Sequence, residues 1–166
     1  MIDGGLDQAQ VLQLLVTLGG PDQPPVWRRV LVPADMRLDR LHDVIQAAMG
    51  WSDSQPHTFS SSAADYGPAD PERDHLDERD ATIGELLGEP GEGISYAYGP
   101  GRHAVVLEEL LPHDPAELYP ACLSGAGRCP PERDRPPADR GEAPSEAGGF
   151  DLEQAREALA FLSAVP

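Results

Sequence analysis

The sequence predicts an α+β domain, and three observations carry that prediction. Two β-rich runs flank a Gly/Pro turn, one amphipathic helical stretch closes on glycine, and a second alternating pair surrounds a Gly-Pro-Gly turn. Residues 11–18 (VLQLLVTL) put Leu12, Leu14, Val16 and Leu18 on one strand face and Val11 and Leu15 on the other. Gly19-Gly20-Pro21-Asp22 turns the chain, and a second run, 26–32 (VWRRVLV), follows Pro24-Pro25 and stops at Pro33. Two strands joined by so short a loop form an antiparallel hairpin. Over residues 37–49, Leu38, Leu41, Val44, Ile45, Ala48 and Met49 recur at helical spacing, a single apolar stripe to face the hairpin. Asp35 and Asp39 sit where carboxylates favour a helix N-terminus. Gly50 suits the left-handed closing position, with Trp51 folding back on Ile45.

Residues 57–62 (HTFSSS) read as a weak strand centred on Phe59. Residues 70–92 hold nine acidic and two basic side chains, a solvated segment interrupted by the short helical pattern of Ile83, Leu86 and Leu87. Ile94, Tyr96 and Tyr98 then alternate, Gly99-Pro100-Gly101 turns, and HAVVLEELL resumes a strand as the second hairpin. Beyond Pro112 the pattern dissolves. Residues 127–149 are rich in Pro, Gly, Ala and charge, with no strongly apolar aliphatic or aromatic side chain, which predicts a mobile linker. A helical stripe of Phe150 or Leu152 with Ala155, Leu159 and Leu162 returns, with Asp151 at its N-cap, and can dock on the core. The chain thus divides into an α+β domain over 8–125, a linker over 126–149 and a C-terminal helix over 150–164.

Composition bounds the chemistry. Eighteen prolines and seventeen glycines beside few aromatic residues confine the core to part of the chain. Twelve basic against twenty-nine acidic residues give a net charge of −17, so a nucleic-acid backbone is repelled and a basic protein partner is favoured. Every basic residue is arginine, which excludes a Schiff-base lysine, a pyridoxal-phosphate site and a Walker-type phosphate loop. The opening residues MIDGGLDQAQ carry neither a basic nor an apolar signal region, and apolar runs elsewhere are short, so a cytoplasmic, membrane-free protein is expected. Two cysteines make no disulfide framework.

The run PPVWRRVLVPADMRLDRLHDVIQAAMGW, an HTF segment, Tyr66-Gly67, a YAY…RHAVVLEE hairpin and PACLSGAGRCPPE resemble the plasmid pRiA4b ORF-3-like family over residues 11–132. That resemblance implies a β-grasp-like strand-strand-helix start completed by the later hairpin, a plasmid or mobile-element setting, and no established activity. Typical members carry Tyr-Asp-Phe-Gly-Asp-x-Trp-x-His in the second hairpin, where this chain has only Tyr98-Gly99-Pro100-Gly101-Arg102-His103. They also often show His-Leu-His-x-Phe after the helix, where this chain has Gln55-Pro56-His57-Thr58-Phe59. The Pro-Pro-Glu-Asp-Cys-Gly-Gly continuation has become Pro130-Pro131-Glu132-Arg133-Asp134.

Site candidates follow from what remains. His57, His103, Trp51, Tyr98 and His42 form the candidate ligand or partner site, with His42 beside the apolar stripe in a structural role. His57, His103, Cys122 and Cys129 form a candidate metal set whose chemistry suits zinc. Its C-x6-C spacing lacks the compact C-x2-C knuckle, and cysteines in a surface loop are the simpler reading. Cys122 or Ser124 lacks a nucleophile elbow. Arg28 and Arg29 are neighbours on a strand and so point to opposite faces. With no complete catalytic set, a non-catalytic binding or accessory protein without a cofactor is expected. A metal-dependent protein or hydrolase with a partly lost site, and an acidic nucleic-acid mimic, are the alternatives.

Overall fold

The computed structural model describes residues 10–18, 26–51, 56–68, 70–72, 74–99, 101–127 and 151–163. Its centre is the alternation read above. β1 (Gln10–Leu18) pairs antiparallel with β2 (Val26–Pro33), with Leu12 opposite Val32 and Leu14 opposite Val30. Period two turns Leu12, Leu14, Val16, Val26, Val30 and Val32 to one buried face. α1 (Leu38–Met49) covers that face with Leu38, Leu41, Val44, Ile45, Ala48 and Met49. Asp39 lies in its first turn. The helix ends where Gly50 takes a left-handed φ of 81° and donates its N–H to Gln46 O.

The remaining strands are β3 (His57–Ser60), β4 (Asp65–Gly67), β5 (Leu76–Asp77), β6 (Gly93–Tyr98), β7 (Gly101–Pro112) and β8 (Ala121–Ala126). They build one open eight-stranded sheet in the order β5-β4-β3-β6-β7-β1-β2-β8. It is mixed because β4 and β5 run parallel while the other pairs are antiparallel. The expected second hairpin is β6–β7, and β7 continues onto β1 across an irregular step at Gln13/Leu14. A 3-10 turn (Glu78–Asp80) and the four-residue α2 (Ile83–Leu86) lead from β5 back to β6, with Thr82 and Glu85 forming a capping box on α2. This segment is not uniformly solvated, since Glu78, Ala81, Ile83 and Leu87 are buried.

β8 corrects the reading that structure dissolves after Pro112. Its residues ACLSGA carry too little apolar periodicity to announce a strand, and pairing with β2 supplies what the side chains do not. Cys122 is consequently buried on this strand rather than placed in a surface loop. α3 (Leu152–Ser163) packs on α1 and β8, with Ala155 and Leu159 buried in the same core as β1 and β2. Asp151 Oδ1 accepts the Gln154 N–H at 3.1 Å, which is the expected cap. Most of the expected linker lies outside the described residues.

Arg28 and Arg29 do part to opposite faces. Arg29 Nε and Nη2 reach both carboxylate oxygens of Glu108 at 2.7 and 3.0 Å, and its guanidinium lies 5.1 Å over the Trp27 ring. Arg28 instead enters the core, where it is 3% exposed. Its guanidinium donates to the carbonyl oxygens of Ala48, Trp27, Ala126 and Gly127, joining α1, β2 and the end of β8. Arg29 thus meets an acidic neighbour, whereas Arg28 is bound by backbone carbonyls from three elements.

Candidate functional site

Strand register assembles the site. β3 and β6 pair His57 with Tyr98 and Phe59 with Tyr96, and β6 and β7 pair Tyr96 with His103. Alternate residues share a sheet face, so His57, Phe59, Tyr96, Tyr98 and His103 all turn inward and are buried. Above them α1 presents His42 and Gln46, four residues apart and thus one turn apart on a single side. Trp51, just past the Gly50 closure, stacks on Tyr98 with ring centres 4.9 Å apart and sets its plane edge-on to His103 at 5.2 Å. The five candidate residues His42, Trp51, His57, Tyr98 and His103 are therefore neighbours in one cluster.

Tyr96 is its hub. Gln46 Nε2 donates to the Tyr96 hydroxyl oxygen at 3.0 Å, and the same hydroxyl lies 2.6 Å from His42 Nδ1. A hydroxyl that accepts from the amide keeps its own hydrogen for the imidazole. His42 stacks face to face on His57, with ring centres 3.6 Å apart and planes 11° from parallel. His57 Nε2 in turn meets Glu78 Oε1 at 2.7 Å, with both side chains less than a tenth exposed. A buried polar chain thus runs from Glu78 through His57, across the stack to His42, and on to Tyr96 and Gln46. Glu78 had no distinguishing signal in the sequence, because it is one carboxylate in an acidic run; only the turn after β5 brings it inward.

The His57–Glu78 contact is the local unit of general acid–base chemistry. Here its geometry makes it an internal tie between β3 and the 3-10 turn, with the second imidazole lying over the first.

His103 has a different environment. Its Nδ1 donates to the Tyr96 carbonyl at 3.0 Å, which leaves the lone pair on Nε2; among the described residues Nε2 is buried with no hydrogen-bond partner. Burial pushes this imidazole down to about 4, and the Tyr96 hydrogen bond only partly opposes the shift. Because the folded value lies below the unfolded value of about 6.5, the unfolded chain binds this proton more readily between the two. The contribution is fully present above pH 6.5 and is lost as pH falls through 4, a total of about 3 kcal/mol. Urea unfolding measured at steps between those pH values should show the decline. His103→Phe should flatten it, and an undiminished slope in that variant would refute the assignment.

The candidate metal set separates. His57 and His103 lie on either side of Tyr96, with ring centres 6.1 and 5.2 Å from it. Cys122 sits on β8, with β1 and β2 between it and β7. Three strand spacings are roughly 14 Å, too far for Cys122 to share a tetrahedral ion with His103. Burial also pushes the Cys122 thiol up, which disfavours the thiolate needed for metal binding or attack. Cys129 lies outside the described residues, and among those described no group of three or more His, Cys, Asp and Glu side chains could hold a metal ion. No helix among them is long and apolar enough to cross a membrane.

A hairpin and helix closing over one end of an open mixed sheet, with a His–Tyr cluster beneath the helix terminus, mark an α+β domain whose membership can be stated. The chain belongs to the plasmid pRiA4b ORF-3-like family, whose description as Plasmid pRiA4b ORF-3-like protein matches residues 10–134. Uncharacterized protein y4hQ of Sinorhizobium fredii (strain NBRC 101917 / NGR234) is 36% identical over 130 residues, covering 75% of this chain. The match spans 66% of that relative's length. A solved structure with the same fold is the protein of unknown function MM3350 from Methanosarcina mazei Go1. It superposes with a TM-score of 0.68 at 27% identity, covering 74% of this chain and 73% of the other.

Proposed function

We propose that this chain is a non-catalytic binding or accessory protein, cytoplasmic and of plasmid or mobile-element type, whose partner is a basic protein. One contrast carries the reading. Under α1, Glu78 with His57 and His42 with Tyr96 and Gln46 are buried and hydrogen-bonded internally, whereas the surface from β4 to the end of the α2 region is a sequence of exposed carboxylates: Asp65, Asp70, Glu72, Asp74, Asp80, Glu85, Glu89 and Glu92. Carboxylates gathered in this way steer an oppositely charged partner and select it against acidic competitors. The family and its uncharacterised relatives are compatible with this reading, and the plasmid setting comes from the family description alone.

The test is affinity capture from the native host, followed by reconstitution with the purified partner. A basic protein should bind in near-stoichiometric amount, and its association rate should fall steeply as salt shortens the screening length. Neutralising Asp70, Glu72, Asp74 and Asp80 together to Asn or Gln should slow association without altering the fold. A partner indifferent to both salt and these substitutions would refute the reading.

A further inference from the structure

A cleft of about 360 Å³ opens where the start of β1, the turn between β2 and α1, α2 and the far end of β7 meet. That size falls within the range of sites for small groups, roughly 300–1,000 Å³. Its accessible apolar surface comes chiefly from the half-buried Leu110 and Ala34, with the fully buried Leu12 and Leu87 beneath them. Two exposed carboxylates, Asp35 and Glu85, line it, and among the described residues no basic side chain does.

The two acids differ in their engagement. Glu85 Oε1 accepts the Thr82 N–H at 3.2 Å, completing the capping box, and Oε2 is left over. Asp35 makes no side-chain hydrogen bond or ion pair among the described residues. A cleft that combines an aliphatic floor with unneutralised carboxylates matches a side chain with an apolar stem and a cationic head. The acidic segment leading from β5 runs directly into it through Asp80, Thr82 and Glu85.

We propose that this cleft is the socket for a lysine or arginine side chain of the basic partner. The stem would lie on Leu110 and Ala34, above the buried Leu12 and Leu87, and the charged head would meet Asp35 and Glu85. The inference rests on the proposed partner class and adds to it a place and a side chain.

Pentalysine and pentaarginine serve as probes, titrated into the full chain while leucine methyl resonances are followed, with n-butylammonium as a free small amine. Saturable shifts are expected, largest at Leu110 and smaller at the underlying Leu12 and Leu87. Asp35→Asn should weaken peptide binding about tenfold, as for loss of one charge-assisted hydrogen bond. Asp70→Asn, an equally exposed acid outside the cleft, should weaken it much less. Equal losses in the two variants, or shifts spread along residues 70–80 with none in the cleft, overturn the proposal. So does n-butylammonium saturating the cleft as tightly as the peptides, which would make it a site for small amines.

The native partner separates the two readings. If it binds the Asp35→Asn variant unchanged yet remains salt-sensitive, the socket is refuted and the partner class stands. If no basic partner is captured but the peptides fill the cleft with the stated Asp35 dependence, the cleft's fit to a cationic side chain stands and its assignment to a basic protein partner falls.

Discussion

Replacing Arg28 with methionine is expected to lower the free energy of unfolding by about 3–5 kcal/mol, the range for disrupting a buried charged network. Methionine keeps much of the stem's packing and removes every donor. Ala48 lies in the last turn of α1, so its carbonyl has no partner within the helix and takes Arg28 Nε at 2.9 Å instead. Nη1 donates to Trp27 O at 2.8 Å and to Ala126 O at 3.0 Å, and Nη2 to Gly127 O at 3.2 Å. A positive charge at this end of α1 also opposes the negative pole of the helix. Lysine at this position should recover only part of the loss, because a compact ammonium cannot span carbonyls on two strands and a helix. Urea unfolding of the three proteins decides the matter, and a methionine variant within about 1 kcal/mol of the wild type would remove Arg28 from the account of stability.

Glu78→Ala and His57→Ala should each cost an amount similar to the Arg28 change, about 3–5 kcal/mol, because each leaves the other member of a buried pair without its partner. The double variant should lose less than the sum, by a coupling of about 1–3 kcal/mol. Glu78→Gln, which retains an oxygen near His57 Nε2, should fall between wild type and Glu78→Ala. The measurement is a double-mutant cycle by urea unfolding. Strictly additive losses would mean that the 2.7 Å contact contributes nothing beyond the two side chains' separate packing.

These two predictions mark the limit of what the sequence makes legible. β1, β2 and α1 can be read because each has one buried face, and burial imposes a period of two or of 3.6 on the residues themselves. The α1 terminus is equally legible, since Gly50 marks a left-handed backbone position. Trp51 does turn back, its N–H reaching Gln46 O at 2.9 Å as a Schellman closure requires, but its ring also stacks on Tyr98. Partners of that kind depend on register between distant strands, which the local pattern does not record.

Glu78 and Arg28 are opaque for the same reason. An acidic side chain in an acidic run and an arginine beside another arginine look like surface, but the turn after β5 carries Glu78 inward and the alternation of β2 sets Arg28 on the face of Val26 and Val30, where the end of β8 meets it. β8 shows the reverse case: ACLSGA has little pattern because β2, α3 and Arg28 hold the strand from outside. The candidate residues His42, Trp51, His57, Tyr98 and His103 could be named in advance as residue types, and the pairing of β3, β6 and β7 beneath α1 is what makes them neighbours.

The seating of α3 against β8 and α1 has a consequence for how the chain acquires its structure. β1 pairs with β7 across some ninety residues, and the α3 residue Leu159 fills a place in the core begun by Leu12 and Leu14. Such non-local closure belongs to topologies that fold on the slower, millisecond-to-second scale. During synthesis, the early hairpin and α1 emerge with their apolar faces bare and wait for more than a hundred further residues. The nine acidic residues of 70–92 follow α1 in the chain, and net charge of one sign opposes association between partly folded copies.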